Sequence, residues 1–204
     1  MDWTDRLLIA CVVLYLAVIT AGVAGSDLKA SADQVSDGDV WLLMTSSLKI
    51  VPTLEIPQLL LLAAAITVVV WRHGPKLWWS IAAVGHIGAA IVSYAVIALA
   101  IWLGSESANQ TAATSDYGIS IVLAATLGAM MAGGLSVARD DRTRADKVII
   151  GLGFLGLIGM IAFSVGWYDM QHVIGYGIGF ILSAWLLDRE TFVWARPQFG
   201  RRSK

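Results

Sequence analysis

Three side chains capable of acid–base or nucleophilic work stand inside otherwise apolar runs: Ser120, His172 and His86. A serine hydroxyl becomes a nucleophile when an adjacent base takes its proton, and histidine is the usual base because its pKa lies near neutrality. The first two each open a stripe of small residues. Ser120, Ala124, Gly128 and Ala132 recur every four residues, and His172 is followed by Gly175 and Gly179 at i+3 and i+7. Such spacings put residues on one helix face, and small side chains there let helices approach closely in lipid. Two such faces packed together would bring hydroxyl and imidazole into contact. Taken singly, the plainer readings are a packing serine bonded back to its own turn and an interfacial histidine that meets water.

The elements that must position these residues are membrane-spanning helices. Of the 204 residues 57% are hydrophobic and 14% charged, whereas a soluble domain carries roughly 25% charged residues. Apolar runs at 7–24, 54–71, 77–103, 117–138, 148–167 and 171–187 all approach the roughly 17–25 residues that cross a bilayer. Glu55 and Pro57 interrupt the start of the second run. The pattern predicts an all-α polytopic membrane protein: one transmembrane domain over 1–204, six spans, and a basic tail at 188–204. It leaves almost no room for a separate soluble domain.

Charge placement orients the spans. With six crossings, Arg6, Arg72, Lys76, the 139–147 group and the basic residues after helix 6 fall on one side. They make up twelve of the 14 Lys and Arg residues, with Lys29 and Lys49 opposite. Basic excess marks the cytoplasmic face, so both termini are expected inside. Trp3, Trp71, Trp78, Trp79, Trp102, Trp167 and Trp185 lie near helix ends, where indoles prefer the headgroup level. Two aspartates precede the first run, which reads as a retained anchor and not a cleaved leader. Cys11 is the single cysteine, so no internal disulfide is possible. The 25–53 connection carries Asp27, Asp33, Asp37 and Asp39, read as solvated carboxylates, and then Trp41 to Met44, which suit a dip into the outer interface. Asn109-Gln110-Thr111 is a formal glycosylation acceptor on an outer loop.

Both Ser120 and His172 open helices that run from outside to inside. Ser120 then lies about 5 Å below the outer helix end at 1.5 Å per residue, and His172 shares that depth range. Gly118-Ile119-Ser120, His172-Val173-Ile174-Gly175 and the later Gly179 resemble the motifs of rhomboid intramembrane serine proteases. Asp116 to Ser120 with Gly85-His86-Ile87-Gly88 resembles, more narrowly, a divergent group of bacterial rhomboid-like proteins. The resemblance covers most of the chain in topology and about a dozen residues in motif. It implies a Ser120 nucleophile and a His172 general base and acid, cleaving transmembrane substrates near the outer face. Ile121 stands where the family has glycine, and Ala124 where an aromatic residue commonly stacks on the histidine. Helix 2 lacks the family's histidine and asparagine oxyanion donors.

Supporting roles fall to Gly118, Asp116 and His86. His86 lies on a small-residue face with Ala82, Ala89, Ala90 and Ser93, so it points at another helix. It reads as a buried interhelical hydrogen bond or, alternatively, as an oxyanion or water-positioning donor. Asp116 reads as an N-cap or first-turn carboxylate, or as a group orienting His172. His73, in a basic turn, is expected to be solvated. Helix packing near the site is assigned to Ala124, Gly128, Gly175 and Gly179. The uneven glycines of helix 5 indicate flexibility or a crowded contact. No cofactor, metal or nucleic-acid partner is expected; the expected partners are the bilayer and a transmembrane substrate or client. A pseudoprotease that binds client helices is the alternative. A transporter would need a row of polar residues through the membrane, and only His86 lies near its centre.

Overall fold

The computed structural model describes residues 2–20, 30–48, 55–114, 118–163 and 166–188, and these are all-helical. In chain order the helices are α1 (Trp3–Thr20), α2 (Ala32–Ser36), α3 (Leu42–Thr45), α4 (Glu55–His73), α5 (Pro75–Trp102), α6 (Glu106–Ala112), α7 (Ile119–Leu135), α8 (Arg144–Phe163) and α9 (Met170–Asp188). Five of them, α1, α4, α5, α8 and α9, are long and apolar enough to cross a membrane. α7 is apolar but has 17 residues, about 26 Å at 1.5 Å per residue. Asp116, Lys29, Lys49 and nearly all of the predicted basic tail lie outside the described residues.

Local chemistry sets the boundaries. α1 begins at Trp3, earlier than predicted, because the Asp2 carboxylate accepts the Asp5 N–H at 2.7 Å and caps the first turn. Pro57 does not delay α4, since it falls in the first turn, where no intrahelical N–H is needed. Gly74, at φ +86°, reverses the chain before Pro75 starts α5. α7 stops at Leu135, short of the predicted 138. There the Arg142 guanidinium donates to the carbonyls of Leu135 and Val137 at 3.1 Å each, which satisfies carbonyls at the helix end. α8 begins at Arg144 and not at 148, because Thr143 and Asp146 form a capping box. The Asp146 carboxylate accepts the Thr143 N–H at 2.8 Å, and the Thr143 hydroxyl oxygen accepts the Asp146 N–H at 3.2 Å.

α7 is the centre of the bundle, with 13 of its 17 residues buried. α9 packs along it, and α4, α5 and α8 complete the wall, with α1 held against α5. Of the two readings of the helix 5 glycines, flexibility or a crowded contact, two positions make the contact: Gly153 and Gly156 of α8 take the bulk of Met131 and Leu127 of α7, while Gly151 and Gly159 face open space. A smaller cluster at the opposite end from the Arg72–Lys76 turn joins Leu42, Leu43, Tyr94, Ile97 and Ala108 with Trp167 and Tyr168. It clamps α3 and α6 over the last turns of α5.

The end carrying the Arg72–Lys76 turn is tied by polar contacts. Arg72 of α4 pairs with the buried Asp146 of α8, and Lys76 meets Asp2 at 3.4 Å. His73 is not simply solvated: it is half-buried, and its ring lies against Gly133 of α7. Trp3, Trp71 and Trp102 are well exposed, as lipid-headgroup anchors should be. Trp78 and Trp79 instead turn inward, their indole N–H groups donating to Thr126 Oγ1 at 3.2 Å and to the Leu8 carbonyl at 3.1 Å. Indole N–H groups buried in lipid need such partners.

Candidate active site

α7 and α9 begin at the same end of the bundle and descend side by side. Ser120 is the second residue of α7 and His172 the third of α9, so the two side chains enter at one level. His172 Nε2 lies 2.8 Å from Ser120 Oγ, and both residues are half-buried. When the hydroxyl donates this bond, Nε2 is the acceptor and the ring proton sits on Nδ1. The turn before α9 is closed by Gly166 N–H to Asp169 Oδ2 at 2.7 Å, and the His172 N–H donates to the Asp169 carbonyl at 3.1 Å.

Small residues set the separation of α7 and α9. A β-carbon at Gly128 would overlap the Tyr176 carbonyl oxygen, and one at Gly179 the Ala125 carbonyl oxygen. At Gly175 it would lie 2.9 Å from Ile121 Cγ2, so this glycine makes room for the Ile121 side chain. The α7 face is shifted by one residue from the expectation. Ala125, not Ala124, lies under Gly179, while Ala124 is fully buried in the main core. Tyr176, one turn below His172, anchors α9 to both neighbours. Its hydroxyl donates to the Gly153 carbonyl of α8 at 3.0 Å and lies 2.8 Å from Met131 Sδ of α7. The i+4 spacing from His172 was the available signal for this residue.

His86 is 3% exposed. Its Nε2 lies 3.2 Å from Ser46 Oγ, in the short 3-10 turn after α3, so its partner is a connecting segment and not another long helix. Gly118 completes this group. Its N–H donates to the Ser46 carbonyl at 3.1 Å, and its missing side chain leaves room for the His86 ring. Thus Gly118 and His86 are brought together two residues before Ser120, with Gly118 N–H and His86 Nε2 both engaged by Ser46. Sequence reasoning passed over Ser46, and no local pattern marks it: it is 40 residues from its histidine partner.

A cleft of about 680 Å³ opens between Ser107, Gln110 and Thr111 of α6, with Thr114 just after it, and Gly166, Trp167 and Met170 at the start of α9. Trp167 Nε1 donates to Ser107 Oγ at 3.2 Å across it. Asn109 of the formal glycosylation acceptor lies on exposed α6. Among the described residues no group of three or more His, Cys, Asp or Glu could hold a metal ion. The arrangement can activate the Ser120 hydroxyl. Comparison with protein-family models, with curated proteins and with solved structures finds no match.

Proposed function

We propose that this protein is a rhomboid-like intramembrane serine protease, with six crossings, both termini cytoplasmic, and Ser120 and His172 as its dyad. The observation that carries the reading is the 2.8 Å approach of His172 Nε2 to Ser120 Oγ. Ser120 Oγ attacks the carbonyl carbon of a peptide bond while His172 Nε2 takes the hydroxyl proton. The tetrahedral oxyanion forms beside the first turn of α7, where the helix dipole favours negative charge. His172 returns the proton to the leaving nitrogen as the C–N bond breaks, leaving an ester on Ser120. Water, deprotonated by His172, then hydrolyses that ester and frees the serine. The hydroxyl-lined cleft beside α6 suits the polar flank of the substrate just outside the bilayer.

A second reading has a specific observation behind it. His86 Nε2 and the Gly118 N–H, the two supporting groups nearest the nucleophile in sequence or in family motif, are both taken by Ser46. Losing an oxyanion donor costs about 10²–10³ in rate, which favours a client-binding pseudoprotease on the same scaffold. A fluorophosphonate probe separates the two. Labelling of the purified protein that disappears in both Ser120→Ala and His172→Ala supports the protease. Labelling indifferent to Ser120, or none, leaves the pseudoprotease.

A further inference from the structure

A cavity of about 310 Å³ lies beside His86, walled by α1, α5, α7 and the 44–48 turn. We propose that it binds one acyl chain of a membrane lipid, independently of whether the dyad is active.

Depth is the first ground. His86, at its inner wall, is the twelfth residue of α5, about 17 Å along a helix of about 42 Å. At that level the surrounding medium is hydrocarbon. The second ground is the chemistry of the lining. Polar groups around the cavity are paired: Tyr15 OH donates to the Ser47 carbonyl at 3.0 Å, Ser47 Oγ donates to the Met44 carbonyl at 2.8 Å, and the two indoles donate to Thr126 and Leu8. What faces the space is mostly carbon, and the His86 imidazole beside it is buried. Water needs two to four polar partners to be held, so a wall of this kind does not retain it.

Size excludes the other apolar occupant. A transmembrane helix is about 10–12 Å across with its side chains, too wide for this space. A flexible methylene chain is not. Its rim is already exposed: Met44 and Ala83 face outward, while Trp78 and Val122 at the floor are shielded from the bilayer. Val122 donates its N–H to the Gly118 carbonyl, so a chain seated here rests against the first turn of α7.

The test uses the full protein in phosphatidylcholine vesicles doped with a lipid carrying a diazirine on its acyl chain. After photolysis, adducts are mapped by mass spectrometry. The expected result is labelling of Trp78 and Val122 in addition to the exposed Leu61 and Ile91. In Ala83→Phe, which fills the cavity from its rim, labelling of Trp78 and Val122 falls at least fivefold while Leu61 and Ile91 are unchanged. Ala82→Leu on the same wall serves if the first variant loses helical signal. Adducts confined to Leu61, Ile91 and other exposed positions overturn the proposal. So does labelling of Trp78 that survives a correctly folded filled variant.

Discussion

The α-carbon of Gly128 faces the carbonyl oxygen of Tyr176 with no room for a β-carbon between them. This backbone-to-backbone approach joins the central helix to α9 two turns below Ser120 and one turn below His172. It fixes how far apart Ser120 and His172 can be, because both helices descend from the same end. The Tyr176 hydroxyl, bonded to α8, holds α9 from the other side.

Gly128→Ala should therefore be destabilising although alanine is the better helix former. Forcing an extra methyl into a packed seam costs about 1–3 kcal/mol, which exceeds the roughly 1 kcal/mol gained in propensity. Gly151→Ala meets nothing within 4 Å and should be neutral or stabilising by up to about 1 kcal/mol. Reversible unfolding in mixed micelles measures both. Equal losses at the two sites would contradict the seam.

Gly118→Ala should displace the His86 ring or the first turn of α7, since its β-carbon would overlap Cε1. The expected outcome is a fall in thermal stability, partly restored by adding His86→Ala, which clears the space. Rescue of this kind is specific to the pair; additive losses would show that the two residues do not interact.

The Arg72–Asp146 contact ties α4 to α8, with the Asp146 side chain buried. Removing one partner of a buried pair leaves the other charge uncompensated, at about 3–5 kcal/mol. Asp146→Ala should fall near the lower figure, because Arg72 keeps some access to solvent, and it also removes the Thr143 capping box. Arg72→Met combined with Asp146→Leu should cost less than Asp146→Ala alone. The same unfolding assay decides.

On the protease reading, the fluorophosphonate labelling rate should fall as pH drops through the titration of His172. The sign follows from the proton inventory: Nε2 must be unprotonated to accept the Ser120 proton. Below that titration the rate should drop roughly tenfold per pH unit. A rate flat from neutral to acid pH would mean that His172 is not the base.

Much of this architecture was legible because it is local. Apolar run length located the long helices, capping residues account for their shifted ends, and i, i+4 repeats exposed the stripes beneath Ser120 and His172. That both residues open their helices also followed from counting along the runs. Their contact did not follow from counting. Hydropathy has the same value on every lipid-compatible face, so it cannot say which helix lies against which. Close packing of Gly128, Gly175 and Gly179 against backbone and Ile121 selected α7 and α9 as neighbours, across 52 residues of chain. The same tertiary choice turned Trp78 and Trp79 inward, moved the seam from Ala124 to Ala125, and gave His86 a partner in Ser46 that no helical period could have revealed. The sequence by itself determined which side chains reach the level of the site. The packing of helix on helix, governed by where backbones can touch, decided which of them meet.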